Sequence, residues 1–415
     1  MKSHNFFILK SSGIQIALQK YKDSGRIPKA ESTFLWELFG GFRENAYLCG
    51  VKIKEKMNYR QAMLVILTVL GASAAQAGGA KKTQTEEKKD SLVFTTVKEN
   101  PITPVKNQNR SGTCWDYATT GFFEGEILRK TGKTYDLCEM FVANKNYVDE
   151  AIYYVRMHGD SRFSEGGSAD DVLSVYRTHG ICPEEAMAAP GSLVGDSLAN
   201  FNEFFSVLTP YIEAVGKSKS KKLSRQWLEG YQGILDAYLG KCPERFVYEG
   251  KEYTPKSFAE SLGLDFDDYV SYTSFTHHPF YTSFIIEAPY KWRLRPSYNV
   301  PLDSLMNIID TAIDRGYNVC WGGDVSGNGF DRQGLAQEDA TPTQELRQQR
   351  FDSWEATYDH VMLIYGKAKD QQGREYYMVK NSWGETGRYK GIWYMRKNYI
   401  ALNTTYVFLN RHAIE

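Results

Sequence analysis

Apolar residues early in the chain recur three or four positions apart, which is the spacing typical of helices. This pattern covers residues 115–130 and predicts a helix that ends at Gly132. A second helix is predicted over residues 168–179, with Gly180 as its stop. Two more are predicted within residues 197–239, around the basic loop KSKSKK, which is more typical of a solvated loop than of a polyanion-binding site.

Late in the chain the pattern changes to short apolar and aromatic runs separated by turn residues. Strands are predicted over residues 361–365, 375–380 and 391–395, and the sequence DQQGR at 370–374 predicts the turn between the first two. Helices followed by antiparallel strands are typical of the α+β class, so we expect an α+β fold.

One long apolar run, residues 62–70, fits neither pattern. It is too short to cross a bilayer, which takes about 20 apolar residues. A basic residue precedes it and small residues ending at Ala77 follow it, so residues 57–77 have the three-part order of a secretory signal peptide. Since a signal peptide begins a chain, we expect Met57 to be the true start and residues 1–56 to be an upstream artefact or a non-conserved extension. The alternative is a buried core helix.

The signal peptide predicts export to the periplasm or the extracellular space, with no membrane span left after its removal. Residues 78–92 are polar and lack aromatic side chains, so we interpret them as a flexible leader before one folded domain over 93–415. Five of the six cysteines follow the signal peptide, an odd number that leaves at least one thiol unpaired in an oxidising compartment. The sequence leaves open which cysteines besides Cys114 form disulfides: Cys138, Cys182, Cys242 and Cys320.

Charge and composition narrow the classes of function. The 415 residues carry 50 basic and 50 acidic side chains, and the part after residue 77 keeps 39 against 45. This is not the basic excess of a nucleic-acid-binding protein, so we expect no nucleic-acid partner. Hydrophobic residues make up 42% and aromatic residues 14%, which is typical of a folded globular protein.

The sequence contains no motif for a metal or a nucleotide. His277 and His278 are adjacent, so we expect their side chains to point apart in a helix or a strand. No two cysteines have Cys-x₂-Cys spacing, and the Gly-Gly-Asp at 322–324 lacks the lysine of a phosphate-binding loop. We therefore expect neither a metal nor a cofactor.

Three local clusters carry residues with catalytic chemistry: QNRSGTCW at 108–115, the Asp-His pair at 359–360, and KNSWG at 380–384. Cys114 begins the first predicted helix, where the positive end of the helix dipole favours the thiolate. His360 could pair with that thiolate and later protonate a leaving amine. Asn381 could accept a hydrogen bond from the second imidazole nitrogen. Gln108 could donate to an oxyanion together with the backbone N–H of Cys114.

In this order the three clusters resemble the papain-like cysteine peptidases. The matching stretches are QNRSGTCW, DHVMLIYGKA and YYMVKNSWGETGRYKGIWYM. The resemblance implies Cys114 as the nucleophile and His360 as base and acid. It further implies that Asn381 orients the imidazole, that Gln108 is the oxyanion donor and that Trp383 shields the hydrogen bond between Asn381 and the histidine from water.

A weaker match is the Glu-Gly-Gly sequence at residues 165–167. In papain-like enzymes a Gly-Gly pair at this place lines the cleft, where the absent side chains let an extended substrate pair with the backbone. The resemblance therefore implies Gly166 and Gly167 as substrate-binding residues. The alternative is a plain loop before a helix.

Two departures from papain indicate a particular branch of this family. Ser111 replaces the first cysteine of the familiar signature around the nucleophile, and His360 follows Cys114 by 246 residues, roughly 100 more than in papain. The surplus predicts an insertion at about residues 190–300. Both features resemble the bleomycin hydrolase and aminopeptidase C branch. The resemblance implies a two-lobed fold with a helical insertion, in which a helical N-terminal lobe carries the cysteine and an antiparallel β lobe carries His360 and Asn381.

The resemblance implies a cysteine peptidase that hydrolyses peptides through a thioacyl-enzyme, the signal peptide predicts that it is exported, and the branch favours an aminopeptidase. The last strand is predicted to end at Asn410, and the five residues after it are too few for the long C-terminal arm that limits substrate entry in this branch. An endopeptidase therefore stays open. Two other classes are a catalytically idle, papain-like peptide-binding scaffold and an acyltransferase to an acceptor other than water. The sequence fixes neither the preferred substrate side chains nor the oligomeric state.

Overall fold

The computed structural model covers most of the chain, with gaps near its N-terminus and in two internal stretches. It describes residues 92–187, 199–220 and 222–415, and two short strands within residues 47–52. The predicted signal peptide at 57–77 and the predicted leader up to residue 91 lie outside the described residues.

The chain divides into two units, Met1–Lys89 and Asp90–Glu415. In the first unit, β1 (Tyr47–Leu48) and β2 (Val51–Lys52) pair as an antiparallel hairpin. All the candidate site residues belong to the second unit.

Nine α-helices occur in the described part of the second unit. The first begins at Cys114 and ends before Gly132, whose φ of 72° is the left-handed conformation that terminates many helices. Both predicted boundaries are confirmed to within one residue. The helices are α1 (Cys114–Thr131), α2 (Glu139–Arg156), α3 (Ala169–Thr178), α4 (Phe201–Gly216), α5 (Gln226–Leu239), α6 (Pro255–Ser261), α7 (Leu302–Asp314), α8 (Gln344–Asp352) and α9 (Lys397–Asn403).

Thirteen strands accompany these helices in the described residues, eleven of them in one sheet. The strands are β3 (Phe94–Glu99), β4 (Phe246–Tyr248), β5 (Lys251–Tyr253), β6 (Tyr269–Thr273), β7 (Ser283–Phe284), β8 (Ser297–Asn299), β9 (Val319–Gly323), β10 (Phe330–Asp331), β11 (Leu335–Ala336), β12 (His360–Asp370), β13 (Glu375–Lys380), β14 (Ile392–Arg396) and β15 (Thr404–Asn410). The order in the sheet is β10-β11-β14-β13-β12-β9-β15-β6-β8-β7, and β3 also pairs with β12.

Strand β12 lies at the centre of this sheet. It pairs antiparallel with β13 along one edge, while its other edge pairs with β9 over residues 360–364 and with β3 over residues 366–370. The turn predicted at 370–374 connects β12 to β13, where Gly373 donates its N–H to the carbonyl of Asp370. The prediction of an α+β fold with antiparallel strands late in the chain is therefore confirmed.

Two large clusters of buried hydrophobic residues occur in the described part of the chain. One collects buried residues of the helices α1 to α5, among them Trp115 and Tyr147. The other packs α7 against the sheet and includes Trp321 and Trp393. Each of these four aromatic side chains is fully buried, as expected for large apolar groups at the centre of a core.

The stretch expected to be a helical insertion, about residues 190–300, is helical in its first half. There α4 and α5 form the predicted helix pair on either side of the basic loop. In the second half, β6 pairs antiparallel with β15 and β8 pairs parallel with β6, so these strands extend the main sheet. The Tyr-Val-Ser-Tyr-Thr sequence of β6 alternates buried and half-buried positions, which is a strand signal that the helical prediction did not use.

The cysteines of the described residues carry no disulfide, and all five are free thiols: Cys114, Cys138, Cys182, Cys242 and Cys320. No helix within the described ranges has both the length and the apolar character that crossing a membrane demands.

Candidate active site

Cys114 is held at the beginning of α1 by the loop of residues 107–113. An isolated antiparallel bridge between Asn107 and Trp383 fixes the start of this loop. At its end, the carbonyl of Thr113 accepts the first backbone hydrogen bonds of the helix. The cysteine residue is half-buried.

Burial raises the pKa of the Cys114 thiol to about 12. The backbone N–H groups of Val361 and Trp115 lower this pKa, while the nearby carboxylate of Asp359 raises it further. The sequence argument considered the helix terminus alone and expected a thiolate, but burial shifts the pKa in the opposite direction. Val361 is the residue after His360 at the beginning of β12.

His360 is the first residue of β12 and is 4% exposed. Its Nε2 lies 2.8 Å from Oδ1 of Asn381, and the same oxygen accepts the backbone N–H of Ser382 at 2.8 Å. Because this oxygen is an acceptor, Nε2 carries the imidazole proton and Nδ1 is left as the second, unprotonated nitrogen. Burial lowers the pKa of His360 to about 4, and the hydrogen bond to Asn381 acts in the opposite direction.

Trp383 lies beside the imidazole. The centroids of the Trp383 and His360 rings are 4.9 Å apart, and Trp393 packs edge-on against the other side of the indole. Gly384, which follows, has a φ of 70° and donates its N–H to the carbonyl of Lys106. Only glycine adopts this conformation without strain, so the Trp-Gly sequence turns the chain back onto the loop that carries the cysteine.

Gln108 is buried, and both ends of its amide are held by hydrogen bonds. Its Oε1 accepts from Oγ of Ser382 at 2.6 Å, and its Nε2 donates to the carbonyl of Ser111 at 2.7 Å. An amide nitrogen has two hydrogens, so one remains for a ligand. The sequence analysis did not identify Ser382 as the residue that orients Gln108, although it lies within the KNSWG cluster.

A charged cluster that the sequence analysis missed anchors the loop before Gln108. The ammonium of Lys106 lies 2.9 Å from a carboxylate oxygen of Glu124 and 2.8 Å from one of Glu139. Burial lowers the pKa of Lys106, but these carboxylates and Asp136 outweigh it and hold the pKa above its usual range. The partners are 18 to 33 positions apart in no regular spacing, so no sequence pattern indicated them.

The protein covers its own Gly166-Gly167 pair, which the sequence analysis assigned to substrate binding. Gly167 is buried, and its carbonyl accepts a hydrogen bond from Oη of Tyr358 at 2.5 Å. A Cβ on Gly166 would lie 2.4 Å from the ring of Tyr290, so that ring packs directly on the glycine. Two tyrosine side chains therefore lie against the glycine pair, one on the face of Gly166 and one on the carbonyl of Gly167.

The side chains of His277 and His278 do not point apart, so that expectation is wrong. Both residues lie in a turn, and their Nε2 atoms are 3.0 and 3.2 Å from the carboxylate of Glu287. The ligand-type atoms of these three residues lie within 4.8 Å of one another. However, Gln348 accepts from the backbone of Thr276 and donates to Nδ1 of His277, which leaves the ring proton on Nε2. That nitrogen donates to Glu287, and hydrogen bonding accounts for the cluster without a metal.

The free energy of unfolding is expected to fall as the pH drops from about 6.5 to about 4. The unfolded histidine titrates near 6.5 and the folded His360 near about 4, so the unfolded chain binds the proton first and acid favours unfolding. The difference corresponds to about 3 kcal/mol at the acid end. Denaturant unfolding of the wild type and of His360→Gln at pH 7 and pH 4 measures it.

The His360→Gln variant is expected to lose less stability in acid than the wild type, by that amount. His158→Asn, a change at an exposed histidine, is the control and is expected to follow the wild type. Parallel pH dependence of the wild type and His360→Gln would show that burial does not shift this histidine.

Comparisons with known proteins identify the family of the chain. The model described as "Peptidase C1-like family" matches residues 130–414, which include the histidine and asparagine of the site. Aminopeptidase C of Lactococcus lactis subsp. cremoris is 24% identical over 409 residues, covering 87% of this chain and 88% of the relative. Aminopeptidase G of Lactobacillus delbrueckii subsp. lactis is 21% identical over 376 residues, covering 80% and 86%.

Among solved structures, the chain is similar to PepW from Lactobacillus rhamnosis HN001. The TM-score is 0.66 and the sequence identity is 19%, with 88% of this chain and 94% of that chain covered. At this identity the likeness establishes a shared fold and nothing about activity.

Proposed function

Since the chain belongs to the peptidase C1-like family and is a cysteine-type peptidase, we propose that it is an aminopeptidase that acts through a thioacyl intermediate on Cys114. The observation that carries the proposal is the position of three groups on parts of the chain that contact one another: α1 contacts β12, and Gln108 in the loop before α1 bonds to Ser382. The three groups are the thiol, the hydrogen-bonded pair of His360 and Asn381, and the amide of Gln108.

Attack on the substrate starts from neutral groups. The Sγ atom of Cys114 bonds to the carbonyl carbon while its proton passes to Nδ1 of His360, the nitrogen that Asn381 leaves unprotonated. Burial disfavours a single charge on either the thiol or the imidazole, so the thiolate and the imidazolium are expected to form together, as a pair, during the attack.

The tetrahedral intermediate needs donors for its oxyanion. The remaining N–H of Gln108 and the backbone N–H of Cys114 supply them. The C–N bond then breaks, and the imidazolium of His360 gives its proton to the leaving amine. Water, with His360 as the base, hydrolyses the resulting thioester, releases the acid product and restores the thiol.

Aminopeptidase action needs something that limits how far a substrate enters, and the C-terminal residues do not lie where they could do this. Thr404, the first residue of β15, is in register with His360 through the intervening strand β9. Strand β15 runs away from that point, so Asn410 lies about 20 Å along it. Beyond it, the backbone carbonyl of Glu415 accepts a hydrogen bond from Arg315. Residues 404–415 therefore run away from the candidate site.

A pair of matched substrates tests the proposal. Hydrolysis of a panel of aminoacyl fluorogenic amides is expected to require the free α-amine, so the N-acetylated forms of the same compounds are expected to resist. Equal hydrolysis of both forms would identify an endopeptidase instead. A folded protein that hydrolyses neither would support the peptide-binding scaffold.

Replacing Asn381 by alanine is expected to lower kcat by about 10²-fold or less. The imidazole remains, but it loses the acceptor that fixes its orientation and its tautomer. Steady-state kinetics on the free-amine substrate measure the loss. If activity disappeared entirely, Asn381 would have a direct part in bond making, and the role given to it here would be wrong.

We also propose that the protein is exported. The support is the order of charged, apolar and small residues over 57–77, which ends with alanines at positions 75 and 77. N-terminal sequencing of the protein purified from its native host is expected to give Gly78 or a neighbouring residue as the first. A protein that retained Met57 would contradict export through this segment.

A further inference from the structure

A segment from the second half of the insertion lies across the glycine pair beside Cys114. We call residues 286–293 the strap. The strap is pinned near both ends: Glu287 accepts from the histidines at 277 and 278, while Lys291 makes a buried ion pair with Asp170 at 2.7 Å. Arg293 adds an ion pair with Asp171 at 3.0 Å. The two ion pairs hold the strap against α3, which carries both aspartates.

Tyr290 is the part of the strap that reaches the cleft. Its ring atoms lie 2.4 to 3.1 Å from where a Cβ of Gly166 would be, so ring and backbone are in van der Waals contact. Arg162 holds the other side: its guanidinium lies 4.6 Å from the ring centroid and donates to Oη at 3.2 Å. The Gly167 carbonyl is bonded to Tyr358, so both side chains lie on the glycine pair that a longer peptide would have to follow.

Glu165 places a carboxylate next to the glycine pair on which Tyr290 packs. Its Oε2 accepts the backbone N–H of Gly112 at 2.6 Å, two residues before the nucleophile, and the side chain is half-buried. Within the described residues, no lysine or arginine forms an ion pair with Glu165, in contrast to Asp170 and Asp171 on the neighbouring helix. A carboxylate that is partly shielded from water and lacks a cation is suited to bind an ammonium group.

We propose that the strap closes the cleft through Tyr290, so that only one substrate residue fits before the scissile bond, and that Glu165 binds the α-ammonium of that residue. The inference rests on the aminopeptidase activity proposed above and gives it a substrate class: peptides with a free N-terminal amine, trimmed one residue at a time. The strap, rather than residues 411–415, limits how far a substrate enters the cleft.

The first test removes the aromatic ring that is proposed to close the cleft. Tyr290→Ala is expected to raise kcat/KM for N-acetylated dipeptidyl amides by at least about tenfold, because the removed ring uncovers Gly166. Tyr290→Phe keeps the ring and is expected to behave like the wild type. Tyr281→Ala, a change at an exposed tyrosine in the turn before β7, is the matched control. Thermal unfolding confirms that each variant is folded.

The second test removes the charge and does not depend on how Tyr290→Ala folds. Glu165→Gln keeps an oxygen that can accept from Gly112, so the loop before the nucleophile stays bonded. Its kcat/KM for free-amine substrates is expected to fall about 10- to 100-fold, mainly through KM, with no further loss on N-acetylated ones. Glu260→Gln, at an exposed position of α6, is the control and is expected to change neither.

Four outcomes would overturn the inference. Tyr290→Ala could fold without gaining activity on blocked substrates. Glu165→Gln could lose activity on free and blocked substrates alike, which would mean that its role is structural. The loss of activity on free-amine substrates could instead occur in Asp359→Asn, which would assign the ammonium site to Asp359. A wild type that hydrolyses blocked and free substrates equally would refute the inference but leave the peptidase intact, whereas a folded wild type inactive on both would refute the proposed function itself.

Discussion

Replacing Cys114 by alanine is expected to abolish peptide hydrolysis and, with it, labelling of the native protein by iodoacetamide. The reaction as proposed has no step that proceeds without a thiol at this position. The change removes one half-buried sulfur, so the free energy of unfolding is expected to stay within about 1 kcal/mol of the wild type. Activity assays, mass spectrometry of the alkylated protein and denaturant unfolding measure the three effects.

Cys242→Ala provides the matched control. Burial raises the pKa of the Cys242 thiol to about 12 as well, yet this residue lies just beyond α5 and far along the chain from the candidate site. The control variant is expected to keep both activity and labelling. Residual turnover in Cys114→Ala, at the level of the wild type or near it, would mean that a different group is the nucleophile.

Replacing Gln108 by alanine is expected to lower kcat by about 10²- to 10³-fold while KM changes little. The amide is held by Ser382 and Ser111 before any substrate binds, so its free N–H is already directed, and it is of use mainly when negative charge develops on the carbonyl oxygen. Steady-state kinetics on the free-amine substrate, with separate kcat and KM values, measure the effect.

Two further variants define this role. Ser382→Ala leaves the amide in place but removes one of its anchors, so a smaller loss in kcat is expected. Gln337→Ala removes an amide that bonds to Tyr376, a residue that is not part of the candidate site, and is expected to leave kcat unchanged. A Gln108→Ala variant with full kcat would show that the backbone N–H of the nucleophile is a sufficient oxyanion donor.

Local patterns predicted the elements that carry the site. The period of apolar residues and Gly132 located α1, and the runs after residue 360 located β12 and β13, because each signal lies within the element that it describes. The pairing of His360 with Asn381 was also expected, through the resemblance to a family, and the two side chains lie 2.8 Å apart.

Contacts between distant parts of the chain could not be predicted in this way. Tyr290 lies more than 120 positions from the glycine it covers, and Tyr358 lies 191 positions from the carbonyl that it caps. The direction of the thiol pKa shift was missed for a related reason: the helix terminus can be recognised in the sequence, whereas burial depends on what the rest of the fold packs around Cys114. Long-range packing, not local propensity, therefore decides how the cleft is shaped.

The free thiols of the described residues determine whether a reductant can be used in assays and buffers of this protein. Peptidases of this type are assayed with a reductant, since oxidation of the active cysteine to a sulfenic acid or a mixed disulfide stops the reaction. No disulfide holds residues 92–187, 199–220 and 222–415 together, so dithiothreitol in the buffer breaks no bond that this part of the fold depends on. Reducing conditions are therefore compatible with the disulfide-free fold of these residues, which contain the candidate active site.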